Sequence, residues 1–139
     1  MKKLALAVLM VATMYSSVWA DCTEKFEMRG LDLEVITLAC TTAADGTFAN
    51  YILTSPFIGA IWYVATNPGS PAPTDNYDIT LLNSDGYDVA GGQLADRDTA
   101  DTEEIKLSTP RPIYDTLTLT ISNNSQASAV IVIRLWFGR

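Results

Sequence analysis

Apolar residues recur at every second position in several short runs of this 139-residue chain. The clearest run covers residues 116–122, where Leu117, Leu119 and Ile121 alternate with threonine and serine. A period of two is typical of a β-strand that buries one of its faces. No long stretch after Ala20 has the period of an amphipathic helix. The sequence therefore predicts an all-β fold.

Residues 75–92 are predicted to form the hairpin around which the other strands are arranged. The alternation of apolar and polar residues over 77–81 indicates its first strand. Asp85 and Gly86 suit a tight reversal, because glycine accepts a positive φ and aspartate hydrogen-bonds its own turn. Residues 87–89 would then begin the return strand.

About eight short strands, separated by turns rich in glycine, proline and asparagine, are predicted after residue 20. In the roughly 119 residues that remain, they indicate an antiparallel β-sandwich of jelly-roll or immunoglobulin-like kind. A closed barrel is the main alternative. The predicted core consists of large residues at alternating positions, namely Phe26, Ile36, Leu38, Ile61, Tyr63, Ile79, Leu81, Leu117, Leu119, Ile121, Ile131 and Ile133.

The first 20 residues have the organisation of a secretory signal peptide. Lys2 and Lys3 precede an apolar run over 4–14, and small residues stand before a cut after Ala20. The expected organisation is a signal-like helix at 1–20 and a β-sandwich domain at 21–139. We expect export to the periplasm or the extracellular space, with an uncleaved leader as the only attachment to a membrane.

Cys22 and Cys40 are the only two cysteines. An exported pair of this kind most often forms a disulfide. Residues 23–30 and 33–40 are predicted to be two strands folded back about Leu31. Antiparallel pairing that sets Cys22 opposite Cys40 brings their Cα atoms within the range of a disulfide. A Cys22–Cys40 disulfide is therefore predicted, and two free buried thiols are the alternative.

The chain without its leader is strongly acidic, with 16 carboxylates against 7 basic side chains. Nine of these carboxylates lie between Asp75 and Glu104, where Arg97 is the only base. Such a surface repels nucleic acid and anionic membranes. Nucleic acid and anionic membranes are therefore not expected as partners.

The chain contains no histidine. This removes Ser-His-Asp and Cys-His activation of a nucleophile, and imidazole metal sites, from consideration. No glycine-rich loop with phosphate-binding spacing precedes a helix. Carboxylate pairs of the kind that glycosidases use occur in any acidic loop. The sequence is interpreted as non-enzymatic, with no catalytic residues.

Two binding chemistries remain open. Hard oxygen ligands for calcium could converge from two polar turns, and the candidate ligands are Asn83, Asp85, Asp88, Asp96 and Asp98. Exposed aromatic rings could stack on sugars, and the candidate rings are Trp62, Tyr87, Tyr114 and Trp136. Solvated loops and buried aromatic residues are the ordinary explanations of the two patterns. Calcium is the only cofactor that the sequence suggests.

Two predicted strands are apolar on both faces, over residues 57–66 and 128–137. Such a strand is either central and covered on both sides, or presents one face to a partner. The residues expected at that interface are Ile58, Trp62, Val64, Val130, Val132 and Trp136. The loops at 67–75 and 93–104 are the alternative cover.

A distinctive series of segments runs from about residue 60 to residue 137. It contains 68–81 (PGSPAPTDNYDITL), 85–92 (DGYDVAGG), 95–98 (ADRD), 117–123 and 130–137. This series resembles small β-rich virion-associated proteins of tailed bacteriophages and prophages. The resemblance implies a structural accessory protein, such as a decoration, neck or tail component. The signal peptide and the two cysteines depart from that group, because phage particles assemble in the cytoplasm.

The leading functional hypothesis is a non-enzymatic interaction protein, either a phage-type virion accessory or a repeating subunit of an extracellular assembly. A homo-oligomer or larger assembly is expected, located in the virion if the chain is phage-encoded. The alternative is a secreted β-sandwich module that binds a glycan or calcium.

Overall fold

The computed structural model describes residues 20–54 and 59–138. Its nine strands are β1 (Asp21–Met28), β2 (Leu33–Thr41), β3 (Tyr51–Ile52), β4 (Gly59–Pro68), β5 (Asp78–Leu82), β6 (Glu103–Lys106), β7 (Pro112–Ile113), β8 (Thr118–Ser122) and β9 (Val130–Gly138). All strand pairs are antiparallel, and this part of the chain contains no helix. The all-β, antiparallel prediction is confirmed. The predicted signal-like helix lies, apart from Ala20, outside the described residues.

The strands form two sheets. The large sheet has the order β1-β2-β9-β4-β6, and β7 also pairs with β4. The small sheet has the order β3-β8-β5. Inward residues of both sheets belong to a single buried cluster, so the two sheets share one core. This is the two-layer arrangement in which alternating strands bury one face each.

Ten of the twelve predicted core residues are buried, and Phe26 and Tyr63 are the two exceptions. Tyr63 is 38% exposed because the register of β4 against β9 shifts between Ile61 and Tyr63. This β-bulge inserts one extra residue and reverses the alternation that follows it. Val64 therefore takes the inward position and is fully buried. Phe26 lies on edge strand β1 and is 43% exposed.

The β1–β2 hairpin has the register that the sequence predicted. Cys22 lies opposite Cys40, and Phe26 lies opposite Ile36. The two cysteines form a disulfide, with their Cα atoms 4.0 Å apart. The predicted disulfide is thus confirmed, and the alternative of free thiols is wrong.

The predicted hairpin at 75–92 forms only in part. Its first strand is β5, but the return strand is reduced to one bridge between Leu82 and Asp88. The carboxylate of Asp88 accepts the backbone N–H groups of Leu81, Ala90 and Gly92. These side-chain bonds compete with strand pairing, so the chain curls into turns after Asp88 instead of extending along β5.

Candidate functional site

The two strands predicted to be apolar on both faces, β4 and β9, lie side by side in the middle of the large sheet. Their inward residues face the shared core, and Leu135, for example, has no exposed area. The opposite surface of the large sheet, which points away from the small sheet, is here called the outer face. In the cross-strand row there, Trp136 lies between Val35 on β2 and Tyr63 on β4.

Three aromatic side chains occupy one end of the outer face. Trp136 is half-buried between its neighbours, whereas Trp62 is 44% and Tyr63 is 38% exposed. Trp62 lies over the backbone of Gly138, since a Cβ added there would come within 2.6 Å of the indole Nε1. The bulge in β4 therefore places Trp62 and Tyr63 together on the surface that already carries Trp136.

A shallow groove of about 590 Å³ crosses the outer face beside this aromatic cluster. It is lined by Lys25, Glu27, Arg29, Leu33, Val35, Thr37, Arg134 and Trp136. These residues come from β1, β2, β9 and the turn after β1. The groove therefore combines apolar walls with three of the six basic side chains that the described residues contain. We call it the basic groove.

Glu27 is the only acidic side chain that lines the basic groove. Its carboxylate pairs with Lys25 at 2.6 Å and with Arg29 at 2.7 Å. Hydrogen bonds from Lys25, and then from Arg29, lower the pKa of Glu27 below its usual range. The carboxylate thus stays ionised, and it offsets one of the two cations that contact it.

Arg134 is the third cation of the basic groove, and it is exposed. Its cross-strand neighbours are Thr37 and Ala65, which carry no charge. Arg134 makes no hydrogen bond or ion pair with any described residue. An exposed guanidinium beside a tryptophan is well suited to contact an anionic group on a partner.

The opposite charge is concentrated in residues 96–104, here called the acidic segment. Its backbone follows β5, because Arg97 N–H donates to the Tyr77 carbonyl at 2.8 Å, and then enters β6. Asp98 accepts the backbone N–H groups of Ala100 and Asp101. These bonds lower the pKa of Asp98, so the carboxylate that holds the turn also stays ionised.

The acidic segment also contains an internal ion pair and several uncompensated charges. Arg97 and Glu103 lie 3.3 Å apart, and the Arg97 side chain is largely buried. By contrast, Asp96, Asp101 and Glu104 are exposed, and their carboxylates bond to no described residue. The segment therefore presents unpaired carboxylates on a fixed backbone.

The predicted interface residues are separated by the structure. Trp62 and Trp136 lie on the outer face, with Val130 and Val132 further along β9. Val64 lies on the core side and has no exposed area, so it cannot contact a partner. Ile58 lies outside the described residues.

The two loops that could have covered the outer face lie elsewhere. Gly69 N–H donates to the Val130 carbonyl, and Val130 N–H donates to the Pro71 carbonyl. These bonds hold the 67–75 loop at the start of β9, away from Trp136. The other loop follows the small sheet, with Leu94 buried in the core.

Two of the candidate calcium ligands, Asn83 and Asp88, are engaged within their own turns. Asn83 accepts the backbone N–H groups of Asp85 and Tyr87 through its side-chain oxygen, and Asp88 accepts three such groups. Asp96 and Asp98 belong to the acidic segment. Throughout the described ranges, no three His, Cys, Asp or Glu side chains are placed to share a metal ion.

The candidate sugar-stacking rings fall into two groups. Trp62 and Trp136 lie on the outer face. Tyr87 and Tyr114 are 64% and 78% exposed, on turns outside the named strands. They do not extend the aromatic cluster of the outer face.

Sequence reasoning did not find the basic groove. Lys25 on β1 pairs with Thr37 on β2, and Thr37 pairs in turn with Arg134 on β9. The alternation along each strand could have placed all three on the outer side. Only the order β1-β2-β9 makes them neighbours, and that order depends on contacts between distant parts of the sequence.

Comparison of the chain with models of known protein families, with curated proteins and with solved structures found no match. The bacteriophage resemblance therefore stays a prediction. Within residues 20–54 and 59–138, no helix has the length and hydropathy needed to cross a membrane.

Proposed function

We propose that this protein is a non-enzymatic β-sandwich module that works by contact with other protein chains, through the outer face of its large sheet. The observation that carries the proposal is the exposed aromatic cluster of Trp62, Tyr63 and Trp136 beside Arg134. Tryptophan, tyrosine and arginine are the residues that most often dominate binding energy at protein interfaces.

The size of these side chains supports the same proposal. Each large aromatic residue can bury about 150–250 Å² of surface. Trp62 and Tyr63 each leave more than a third of their surface in solvent, although β4 has a buried side that could have held one of them. The bulge directs both outward, and such placement is favourable when a partner covers the rings.

The disulfide bears on where the module works. A disulfide persists in oxidising surroundings, and the Cys22–Cys40 bond is therefore consistent with export. A repeating subunit of an extracellular assembly fits this better than a virion accessory that assembles in the cytoplasm. The sequence resemblance supports a narrower version of the proposal, in which the protein is a decoration, neck or tail component of a virion.

Glycan binding is the second candidate function. It is favoured by one observation, the position of Trp136 on the wall of a groove that also contains Arg134. An aromatic ring next to a cation is suited to an acidic sugar. A glycan array probed with the native protein and with Trp136→Ala tests this candidate function. The native protein is expected to bind glycans on the array, and the substituted protein is expected to bind none.

Photo-crosslinking tests the leading proposal. A photoreactive phenylalanine analogue replaces Trp136 on the outer face or, as the matched control, Thr80, which is likewise half-buried and lies on the side of β5 that faces away from the core. Each variant is expressed in the cells that naturally produce the protein. The variant at position 136 is expected to crosslink to another polypeptide, whereas the variant at position 80 is expected not to crosslink. Equal crosslinking from both positions, or none from position 136, would contradict the proposal.

A further inference from the structure

The basic groove and the acidic segment lie at opposite edges of the large sheet. The groove is built on β1, β2 and β9, whereas the acidic segment ends in β6. Strands β1 and β6 are the first and last in the sheet order, so they are four strand spacings apart, about 19 Å. The groove reaches β9, however, so Arg134 and Glu104 lie on the same outer face in one cross-strand row, two strand spacings apart on either side of Ala65. Lys25 lies four spacings from Glu104 in that row, and the paired strands keep the acidic segment out of the groove of its own molecule.

The two sites are complementary in charge. Lys25, Arg29 and Arg134 give the groove three positive charges, and Glu27 cancels one of them. In the acidic segment, the only base, Arg97, already pairs with Glu103. The remaining carboxylates therefore leave an excess of negative charge. Complementary potentials of this kind steer association and fix its register.

Both sites are also held in shape before any contact forms. The cross-strand row Lys25–Thr37–Arg134 fixes the spacing of two cations, on β1 and β9, that lie on either side of β2. The backbone bonds to Asp98 hold the turn that carries the exposed carboxylate of Asp101. Association then loses little backbone conformational entropy at these groups, which favours binding.

We propose that the occupant of the basic groove is a second copy of this chain, which places its acidic segment there. This inference rests on the proposed function, because it names the partner of the same outer face. Each copy has one groove and one segment at different places in the sheet, so the contact joins unlike patches head-to-tail. Contacts of this type build open chains, or rings where the rotation closes. Trp136, on the groove wall, would exclude water from the ion pairs.

Reciprocal charge reversal tests the proposal. The groove variant carries Lys25→Glu and Arg134→Glu, and the segment variant carries Asp101→Lys and Glu104→Lys. The control variant carries Arg111→Glu, which reverses an exposed base outside both sites. All are expressed at full length, leader included, and self-association is measured by sedimentation velocity over a range of protein and salt concentrations.

The native chain is expected to form a concentration-dependent series of oligomers that salt dissociates. Each variant alone is expected to associate at least about tenfold more weakly, because the groove substitutions make the groove negative and the segment substitutions remove the net negative charge of the segment. An equal mixture of the two is expected to regain association, since the unchanged basic groove of the segment variant then meets the unchanged acidic segment of the groove variant. This recovery also shows that both variants are folded. Arg111→Glu is expected to behave as the native chain.

A native chain that stays monomeric at every concentration would overturn the inference, as would a mixture no better associated than its components. Binding of heparin, as a probe for acidic polysaccharide, by a chain that remains monomeric would overturn it as well. The proposed function survives these results if position 136 still crosslinks to a different polypeptide. Both fail if position 136 crosslinks to none.

Discussion

Tyr77 and Thr66 bury hydroxyl groups that lie near each other, yet neither makes a hydrogen bond of good geometry to any described residue. Burial raises the pKa of Tyr77, because the ionised ring would lose its hydration. A buried hydroxyl without a partner costs about 1–3 kcal/mol. We therefore expect Tyr77→Phe to leave the free energy of unfolding unchanged or slightly higher in urea denaturation.

The matched control for that substitution is Ile79→Ala, two residues along the same edge of the core. It creates a cavity and is expected to lose roughly 2–5 kcal/mol. If Tyr77→Phe instead lost more than about 1.5 kcal/mol, the hydroxyl would have to be hydrogen-bonded in the folded protein.

The pKa of Asp98 makes the stability of the turn in the acidic segment depend on pH. The N–H groups of Ala100 and Asp101 lower its pKa below the ordinary value of 3.8. The ionised form is thus favoured in the folded state, and its stabilising contribution is present above pH 3.8 and decreases as the pH falls through the lower, folded pKa. Asp98→Ala should therefore flatten the acid side of the stability profile. Asp101→Ala, whose side chain bonds to no described residue, should not. An NMR-measured pKa of Asp98 at or above 3.8 would contradict this account.

At the scale of elements, the β1–β2 hairpin depends on its disulfide. Among the described strands β1 pairs only with β2, and the bond joins cysteines 18 residues apart. Closing a loop of this size contributes roughly 3 kcal/mol on the chain-entropy model. The double substitution Cys22→Ala/Cys40→Ala is expected to lower the free energy of unfolding by about that amount. Hydrogen exchange should show the amides of β1 losing protection first, and unchanged protection there would argue against this role of the disulfide.

The same hairpin shows what could be predicted from the sequence. Alternation and the two cysteines together gave the register of β1 against β2, because opposite residues must satisfy both constraints. Alternation did not predict the bulge in β4, since the run from Ile61 to Val64 is apolar throughout and fits either phase. It also did not predict the loss of the return strand, where the Asp88 carboxylate captures backbone N–H groups.

At the scale of the whole molecule, the order of strands within a sheet is set by contacts between distant segments. Residues 33–41 and residues 130–138 pair in the large sheet although about 90 residues separate them. The sequence predicted which residues face outward on each strand more easily than which strands are neighbours. The aromatic half of the candidate surface was therefore partly predicted, through Trp62 and Trp136, whereas the basic groove was not.

The central claim is that another protein chain covers the outer face. Oxidative footprinting measures this directly, by comparing native assembled material with the same full-length chain at high dilution. We predict that Trp62 and Trp136 are protected from oxidation in the assembly and become reactive on dilution. Tyr87 and Tyr114, which are exposed outside that face, should react equally in both samples. Equal oxidation of Trp62 and Trp136 in the two samples would contradict the claim.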